Sequence, residues 1–247
     1  MTEILTQILT ADFALGALIV FFSGMIRGYT GFGAGLLMTP LFSMLFGPVE
    51  AIAISGIVAL AGSAQLVPGA ARHANWRELV PVLIALVLVT PVGAYILFNL
   101  DPALIRRAMG GFVLLFALIL MSGWVYRGKR GKAPSAAVGA LAGLISGATG
   151  VGGPPVAIYF LSSPQPAEMQ RGNIVMAVTV LILMVLVAVA AGGGVSQETV
   201  IRGAILTPAY LAGTWSGSRL FAIAPKEYFK RVALWLLLIT GVGIMFL

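Results

Sequence analysis

Long apolar runs separated by short polar segments fill most of this chain. Runs such as Val80–Phe98 and Phe112–Met121 are nearly unbroken, whereas strands of a membrane barrel would alternate apolar and polar residues. About 20 mainly apolar residues are needed for a helix to cross about 30 Å of hydrocarbon. The pattern therefore predicts membrane-spanning helices at Ile4–Met25, Pro48–Val67, Trp76–Leu97, Ala103–Tyr126, Ser135–Gly147, Ala167–Ala191, Thr199–Arg219 and Lys226–Leu247.

Two further apolar pieces are too short to span a membrane, and each follows a glycine-rich break. Leu36–Phe46 follows the segment Arg27–Gly35, and Val156–Ser162 follows the segment Thr149–Pro155. At 1.5 Å per residue the first piece is only about 16 Å long. Each break is either an interruption in one helix that crosses once or the turn of a helical hairpin.

The same order of features occurs twice along the chain. The segment Gly28–Gly33, which reads G-Y-T-G-F-G, aligns with Gly147–Gly152, which reads G-A-T-G-V-G. Further on, Asp101-Pro102 with Arg106-Arg107 aligns with Ala224-Pro225 and Lys230-Arg231. The sequence therefore predicts a first transmembrane repeat over residues 1–126, a basic cytoplasmic linker over 127–134 and a second repeat over 135–247.

The distribution of positive charge favours the hairpin alternative. Hairpins give each half an odd number of crossings, which collects ten basic residues on one side and leaves three on the other. Such an asymmetry is what the positive-inside rule expects, and it predicts inverted repeats with both termini facing away from the cytoplasm. The ten are Arg72, Arg77, Arg127, Lys129, Arg130, Lys132, Arg171, Lys226, Lys230 and Arg231, and the three are Arg106, Arg107 and Arg202.

Composition excludes several classes of protein. Hydrophobic residues make up 60% of the chain and charged residues 9%, whereas a soluble domain carries about 25% charged residues. The net charge of +7 is therefore interpreted as cytoplasmic loop charge and not as a nucleic-acid surface. The absence of cysteine, the single histidine His73 and the scattered acids argue against an enzyme, a metal site or a cofactor. No complete G-x-x-x-x-G-K-[ST] motif is present, because Arg130 follows the one G-x-x-x-x-G-K match, Gly123–Lys129, so the sequence indicates no ATPase loop.

The paired breaks are the predicted substrate site. Discontinuous helices in matching positions of two halves are typical of transport sites, and the amides at a half-helix N-terminus attract anions. Thr30 and Thr149 are candidate hydroxyl donors, whereas Gly139 and Gly143 are assigned to helix packing. The candidate binding residues are Arg27, Gly28, Thr30, Gly31, Gly33, Ser55, Gln65, Thr149, Gly150, Gly152, Gly153 and Asn173.

Two of these candidates leave alternatives open. Arg27 either neutralises a bound anion or extends to a membrane interface. Asn173 either donates to the anion or forms an interhelical hydrogen bond.

Two halves that open with G-x-T-G-x-G and are joined by a basic loop resemble the TauE/SafE family of sulfite and organosulfonate exporters. The resemblance covers essentially the whole chain. It implies a secondary transporter of a small anion such as sulfite, an organosulfonate or a related carboxylated anion, working as an exporter in the bacterial inner membrane. In the second motif Gly153-Pro154-Pro155 stands where the first has Ala34-Gly35-Leu36, so equal binding by both motifs is open.

Other functions and partners stay open at this point. The alternatives to a carrier are an anion channel or the membrane subunit of a larger complex. A coupling ion, proton or sodium, and a homodimer through the Gly139–Gly143 face are also open.

Overall fold

The computed structural model describes residues 11–223, and every regular element in that range is an α-helix. The predicted helix Lys226–Leu247 and the aligned pairs Ala224-Pro225 and Lys230-Arg231 lie outside the described residues, as do the first residues of the predicted helix Ile4–Met25. The helices are α1 (Ala11–Thr30), α2 (Ala34–Phe46), α3 (Pro48–His73), α4 (Trp76–Asn99), α5 (Pro102–Met121), α6 (Lys132–Thr149), α7 (Gly153–Leu161), α8 (Ala167–Ala191) and α9 (Gln197–Ile223).

Four of these helices, α3, α4, α5 and α8, are long and apolar enough to cross a membrane. The bounds of α8 agree with the prediction, but those of α3 and α5 do not. Helix α3 continues through Pro68 to His73, beyond the predicted end, because neighbouring groups can satisfy the carbonyl that a proline frees. Helix α5 ends before the predicted Tyr126, since the positive φ of 69° at Gly123 cannot continue a helix.

The short helices fold back along the helices that precede them. A Cβ on Gly16 would lie 3.9 Å from the ring of Phe42, although one continuous helix would separate these residues by about 39 Å. In the second half the hydroxyls of Ser135 and Tyr159 lie 2.9 Å apart, at the open end of α6 and α7. We call α1–α2 hairpin 1 and α6–α7 hairpin 2.

Glycines bring each hairpin into direct backbone contact with a helix from the other half of the chain. A Cβ on Gly28 would collide with the carbonyl oxygen of Thr214, so the backbones of α1 and α9 are in direct contact. A Cβ on Gly139 would collide in the same way with the carbonyl of Val82 on α4. We call these contacts the α1–α9 seam (Gly24, Gly28, Gly213 and Gly217) and the α4–α6 seam (Gly93, Gly139, Gly143 and Gly147).

The α4–α6 seam contains the two glycines that the sequence assigned to helix packing. Gly139 and Gly143 are buried against α4, which confirms that they serve helix packing. The same burial makes this face unavailable for a homodimer, because α4 of the same chain already occupies it.

An ion pair closes the open end of each hairpin. In both pairs the arginine also stacks on an aromatic residue near the end of the short helix, which combines Coulombic and cation–π attraction. Each pair therefore ties a hairpin to the start of a neighbouring helix. The two sets are Arg202 with Glu50 (2.6 Å) and the Phe46 ring (4.9 Å), and Arg130 with Glu78 (2.7 Å) and the Tyr159 ring (4.1 Å).

Candidate functional site

The tips of the two hairpins meet in the interior of the helix bundle. A Cβ on Gly35 would lie 2.8 Å from the carbonyl oxygen of Gly150, and a Cβ on Gly153 would lie 3.7 Å from the Cβ of Phe32. The tips, together with α3 and α8, surround a partly open cavity of about 50 Å³, which is room for about three to five water molecules. The polar residues, glycines and proline that line it are Arg27, Gly33, Gly35, Thr39, Ser55, Gly56, Ser146, Gly150, Gly153 and Pro154.

Arg27 is the one charged residue among the described residues that line this cavity. Its side chain is only 1% exposed. One terminal nitrogen, Nη2, donates to Ser63 Oγ at 2.7 Å and to Thr179 Oγ1 at 3.3 Å. Its Nε has no hydrogen-bond partner, and no ion pair within residues 11–223 includes it. Arg27 therefore does not extend to the protein surface. Its buried position at the cavity agrees with the alternative in which it faces a bound anion.

Further hydrogen-bond donors converge on the cavity from other helices. The hydroxyl of Ser55 on α3 is buried and has no partner. Thr39 on α2 and Ser146 on α6 bring two more hydroxyls, neither of which was among the predicted residues. All of these groups can donate to an anion, and no acidic residue is among the described lining.

The N-termini of the two short helices face the cavity unequally. Neither α2 nor α7 has a side-chain cap, so their first amides depend on the cavity or on the turn for partners. The first turn of α7 contains Pro154 and Pro155, which have no N–H. Helix α2 therefore presents more amides than α7, and Arg27 belongs to the same hairpin as α2.

The two tips need glycine for their backbone conformation. Gly33 has a φ of 93° and Gly150 a φ of 74°, in the left-handed region that residues with a Cβ rarely adopt. Both line the cavity. Their lack of a side chain lets the chain reverse direction and leaves the backbone open to a ligand.

Thr30 and Thr149 close the ends of α1 and α6 and do not line this cavity. Thr30 Oγ1 lies 2.6 Å from the carbonyl oxygen of Phe32 and 2.8 Å from that of Ile26, and it accepts from the Phe32 amide at 3.2 Å. Thr149 Oγ1 donates to the carbonyl of Ile145 at 2.7 Å and accepts from the Val151 amide at 3.4 Å. Both hydroxyls therefore satisfy backbone groups that the breaks would otherwise free, which differs from the predicted role as substrate donors.

The other candidates lie outside the cavity. Gln65 is exposed on α3. Asn173 accepts from the Asn75 amide, between α3 and α4, at 2.7 Å, so its bond joins a helix to a connecting segment and differs from both of its alternatives. Of the glycines, Gly28 lies in the α1–α9 seam, Gly31 packs on Val175, and Gly152 packs on α6.

The sequence contained a signal for the residue that holds Arg27. Ser63 lies eight residues after Ser55, which places both hydroxyls on one face of α3. Gln65 is two residues further on and lies on another face of α3. Its depth along the helix therefore did not predict that it would face the cavity.

Comparison with known proteins identifies the family to which this chain belongs. The family model described as "Sulfite exporter TauE/SafE" matches residues 16–244. The chain is a member of the TauE/SafE family. A curated relative from Cupriavidus necator, named "Probable sulfite/organosulfonate exporter TauE", is 26% identical over 249 residues, which cover 98% of this chain and 95% of the relative. No solved structure matches the chain.

Membership of the TauE/SafE family settles the class of protein. The family consists of transporters and not of enzymes. With four helices long and apolar enough to span a membrane, this member is a multi-pass integral membrane protein, as expected for the bacterial plasma membrane.

The capping role of the two threonines predicts the effect of replacing them. Thr30→Val and Thr149→Val should each destabilise the protein by about 1–2 kcal/mol, because a buried carbonyl and an amide lose their partner. Thr30→Ser and Thr149→Ser should stay close to wild type. Thermal unfolding in detergent measures this difference, with sulfite added in a parallel series. A Thr30→Val variant of unchanged stability that no longer responds to sulfite would instead make the hydroxyl a substrate ligand.

Proposed function

We propose that this protein is a secondary transporter that exports a small sulfur oxyanion or organosulfonate, which binds in the cavity between the hairpin tips. The burial of Arg27 without an acidic partner in the described range 11–223 is the observation that supports this most strongly. An isolated charge in a low-dielectric interior costs several kcal/mol, and intramembrane arginines are functional by default. A bound anion would neutralise this charge at the position where the surrounding groups are donors.

The chemistry of the lining agrees with the class of substrate that the relatives suggest. Sulfite and sulfonate groups expose several oxygens, each able to accept hydrogen bonds. The guanidinium of Arg27 supplies charge-assisted hydrogen bonds, and the hydroxyls of Ser55, Thr39 and Ser146 with the α2 amides supply neutral ones. The family description and the name of the relative both refer to sulfite, which makes sulfite the first substrate to test.

The path of the chain supports inverted repeats. Three helices, α3, α4 and α5, with 26, 24 and 20 residues, separate the two hairpins. If each crosses the membrane once, hairpin 2 enters from the face opposite to hairpin 1. In both seams the first helix of one half packs on the fourth helix of the other, as a two-fold arrangement requires.

The described charges orient this arrangement. The face where α3 ends and α4 begins also carries the linker, and its basic residues outnumber those of the opposite face. The positive-inside rule makes that face cytoplasmic. The two sets are Arg72, Arg77, Arg127, Lys129, Arg130, Lys132 and Arg171 against Arg106, Arg107 and Arg202. Arg130 pairs with Glu78, and Arg202 pairs with Glu50 and Glu198.

The seams suggest which parts would move during alternating access. Four glycines bring the backbones into direct contact along each seam, and such a series of contacts resists sliding, so hairpin 1 moves with α9 and hairpin 2 with α4. Helix α3 packs on α2 and α9 and most extensively on α8, and α8 also packs on α7 and α4. Grouping α3 with hairpin 1 and α8 with hairpin 2, as a two-fold arrangement requires, gives two bodies, α1, α2, α3 and α9 against α4, α6, α7 and α8, which meet where α3 packs on α8. Each body combines helices from both sequence halves, so the halves themselves would not rock as units.

Replacing Arg27 tests the site directly. Saturable sulfite flux into proteoliposomes without ATP should fall at least about a hundredfold in Arg27→Gln, since a charge-assisted contact to the anion is lost. Arg27→Lys should retain part of the flux, and Arg107→Gln, on an exposed arginine, should match wild type. Full activity of Arg27→Gln would show that the anion does not bind at Arg27 in this cavity during transport. Flux in wild type that rises linearly without saturation would indicate an anion channel.

Two disulfide cross-links test which bodies move, and the absence of native cysteine leaves no competing thiol. A Cβ on Gly56 would lie 3.6 Å from the Cβ of Leu186, between the bodies, and one on Gly203 would lie 3.2 Å from the Cβ of Ile57, within one body. Oxidation of Gly56→Cys/Leu186→Cys should stop sulfite flux until a reductant is added, whereas oxidation of Ile57→Cys/Gly203→Cys should leave flux unchanged. Both pairs join the two sequence halves, so a stop in both variants would favour rocking of the halves.

A further inference from the structure

A second and larger cavity lies beyond the tip of hairpin 1, on the face that we propose to be cytoplasmic. Its volume is about 450 Å³. Gly33 lines both this cavity and the central one, so the two adjoin at the hairpin tip. Most of its walls are apolar side chains, among them Phe32, Trp124 and Leu161. We call it the vestibule.

Arg171 is the one charged residue among the described residues that line the vestibule. Its Nη2 donates to the carbonyl oxygen of Gly28 at 2.6 Å, and its guanidinium carbon lies 4.7 Å from the centre of the Phe221 ring. Its Nε is buried without a partner. No ion pair within residues 11–223 includes it. Arg171 is therefore a second cation without an acidic partner, on the other side of the hairpin tip from Arg27.

We propose that Arg171 forms an entry site where the exported anion binds from the cytoplasm before it passes the hairpin tip to Arg27. This inference rests on the proposed transport function. The anionic group would pair with the Arg171 guanidinium, whose Nε has no hydrogen-bond partner, and an organic substituent would lie on the apolar walls. The vestibule has room for such a substituent, whereas the central cavity of about 50 Å³ suits the anionic group.

A purely structural role for Arg171 makes a different prediction. Its bond to the Gly28 carbonyl satisfies a group near the break in α1, and Ser218 Oγ also lies 3.3 Å from that oxygen. A glutamine at position 171 still carries an N–H donor for this carbonyl but has no charge. Arg171→Gln therefore removes the charge but keeps a donor for the Gly28 carbonyl, whereas Arg171→Lys keeps both the charge and a donor.

The test measures sulfite and sulfoacetate flux in right-side-out and inverted membrane vesicles. Arg171→Gln should raise the KM at the cytoplasmic face about tenfold, as loss of one charge-assisted contact does, with kcat within about twofold. The KM at the opposite face should not change. Arg171→Lys should resemble wild type, and so should Arg72→Gln, an exposed arginine on the same face that controls for general surface charge.

The outcomes distinguish this inference from the proposed function. Unchanged cytoplasmic KM in Arg171→Gln, with flux still abolished in Arg27→Gln, would overturn the entry site alone. Absence of saturable flux in wild type would overturn the transport function itself. The same anionic chemistry occurs in lipid headgroups, so the assay is repeated in phosphatidylcholine vesicles with and without phosphatidylglycerol. An effect of Arg171→Gln that appears only with phosphatidylglycerol would make a lipid the occupant and overturn the proposal.

Discussion

The structure depends on a positive charge that is held inside the helix bundle without a negative partner among residues 11–223. Arg27 is 1% exposed, and within that range the hydroxyls of Ser63 and Thr179 accept hydrogen bonds from its guanidinium. Neutral hydroxyls orient such a group but cannot neutralise it, so its environment is incomplete until an anion arrives. A carboxylate in the same place would complete the fold and block the site. In the proposed transport function, the missing acidic partner favours an anion over a cation in the cavity.

The helix breaks bring this charge and the amides of α2 together, and the chain satisfies most of the backbone groups that the breaks free. Thr30 and Thr149 each bond to a carbonyl one turn back and an amide two residues on, which lets a helix end within the bundle. Glycine seams then hold α1 against α9 and α4 against α6. Two buried donors without a hydrogen-bond partner, Ser55 Oγ and Arg27 Nε, belong to residues that line the cavity.

Within residues 11–223, apolar run length predicted which segments are helical but not where α3 and α5 end, and charge asymmetry favoured the hairpins, because both patterns reflect the bilayer. The site was only partly predictable. Arg27, Gly33, Ser55, Gly150 and Gly153 line the cavity, and each was marked by a break or a polar group in an apolar run. Thr39 and Ser146 were missed because they face the cavity only after α2 and α7 fold back. Gln65 and Asn173 were chosen by depth along a helix, which does not determine the face.

The most direct test of this account is the thermal stability of Arg27→Met with and without sulfite, beside Arg107→Met on an exposed arginine. If Arg27 is a charge without a partner, Arg27→Met raises the melting temperature of the ligand-free protein, since a buried uncompensated charge is removed, and sulfite no longer stabilises it. Arg107→Met should keep both the wild-type melting temperature and the response to sulfite. A lower ligand-free melting temperature for Arg27→Met with an intact sulfite response would contradict the account.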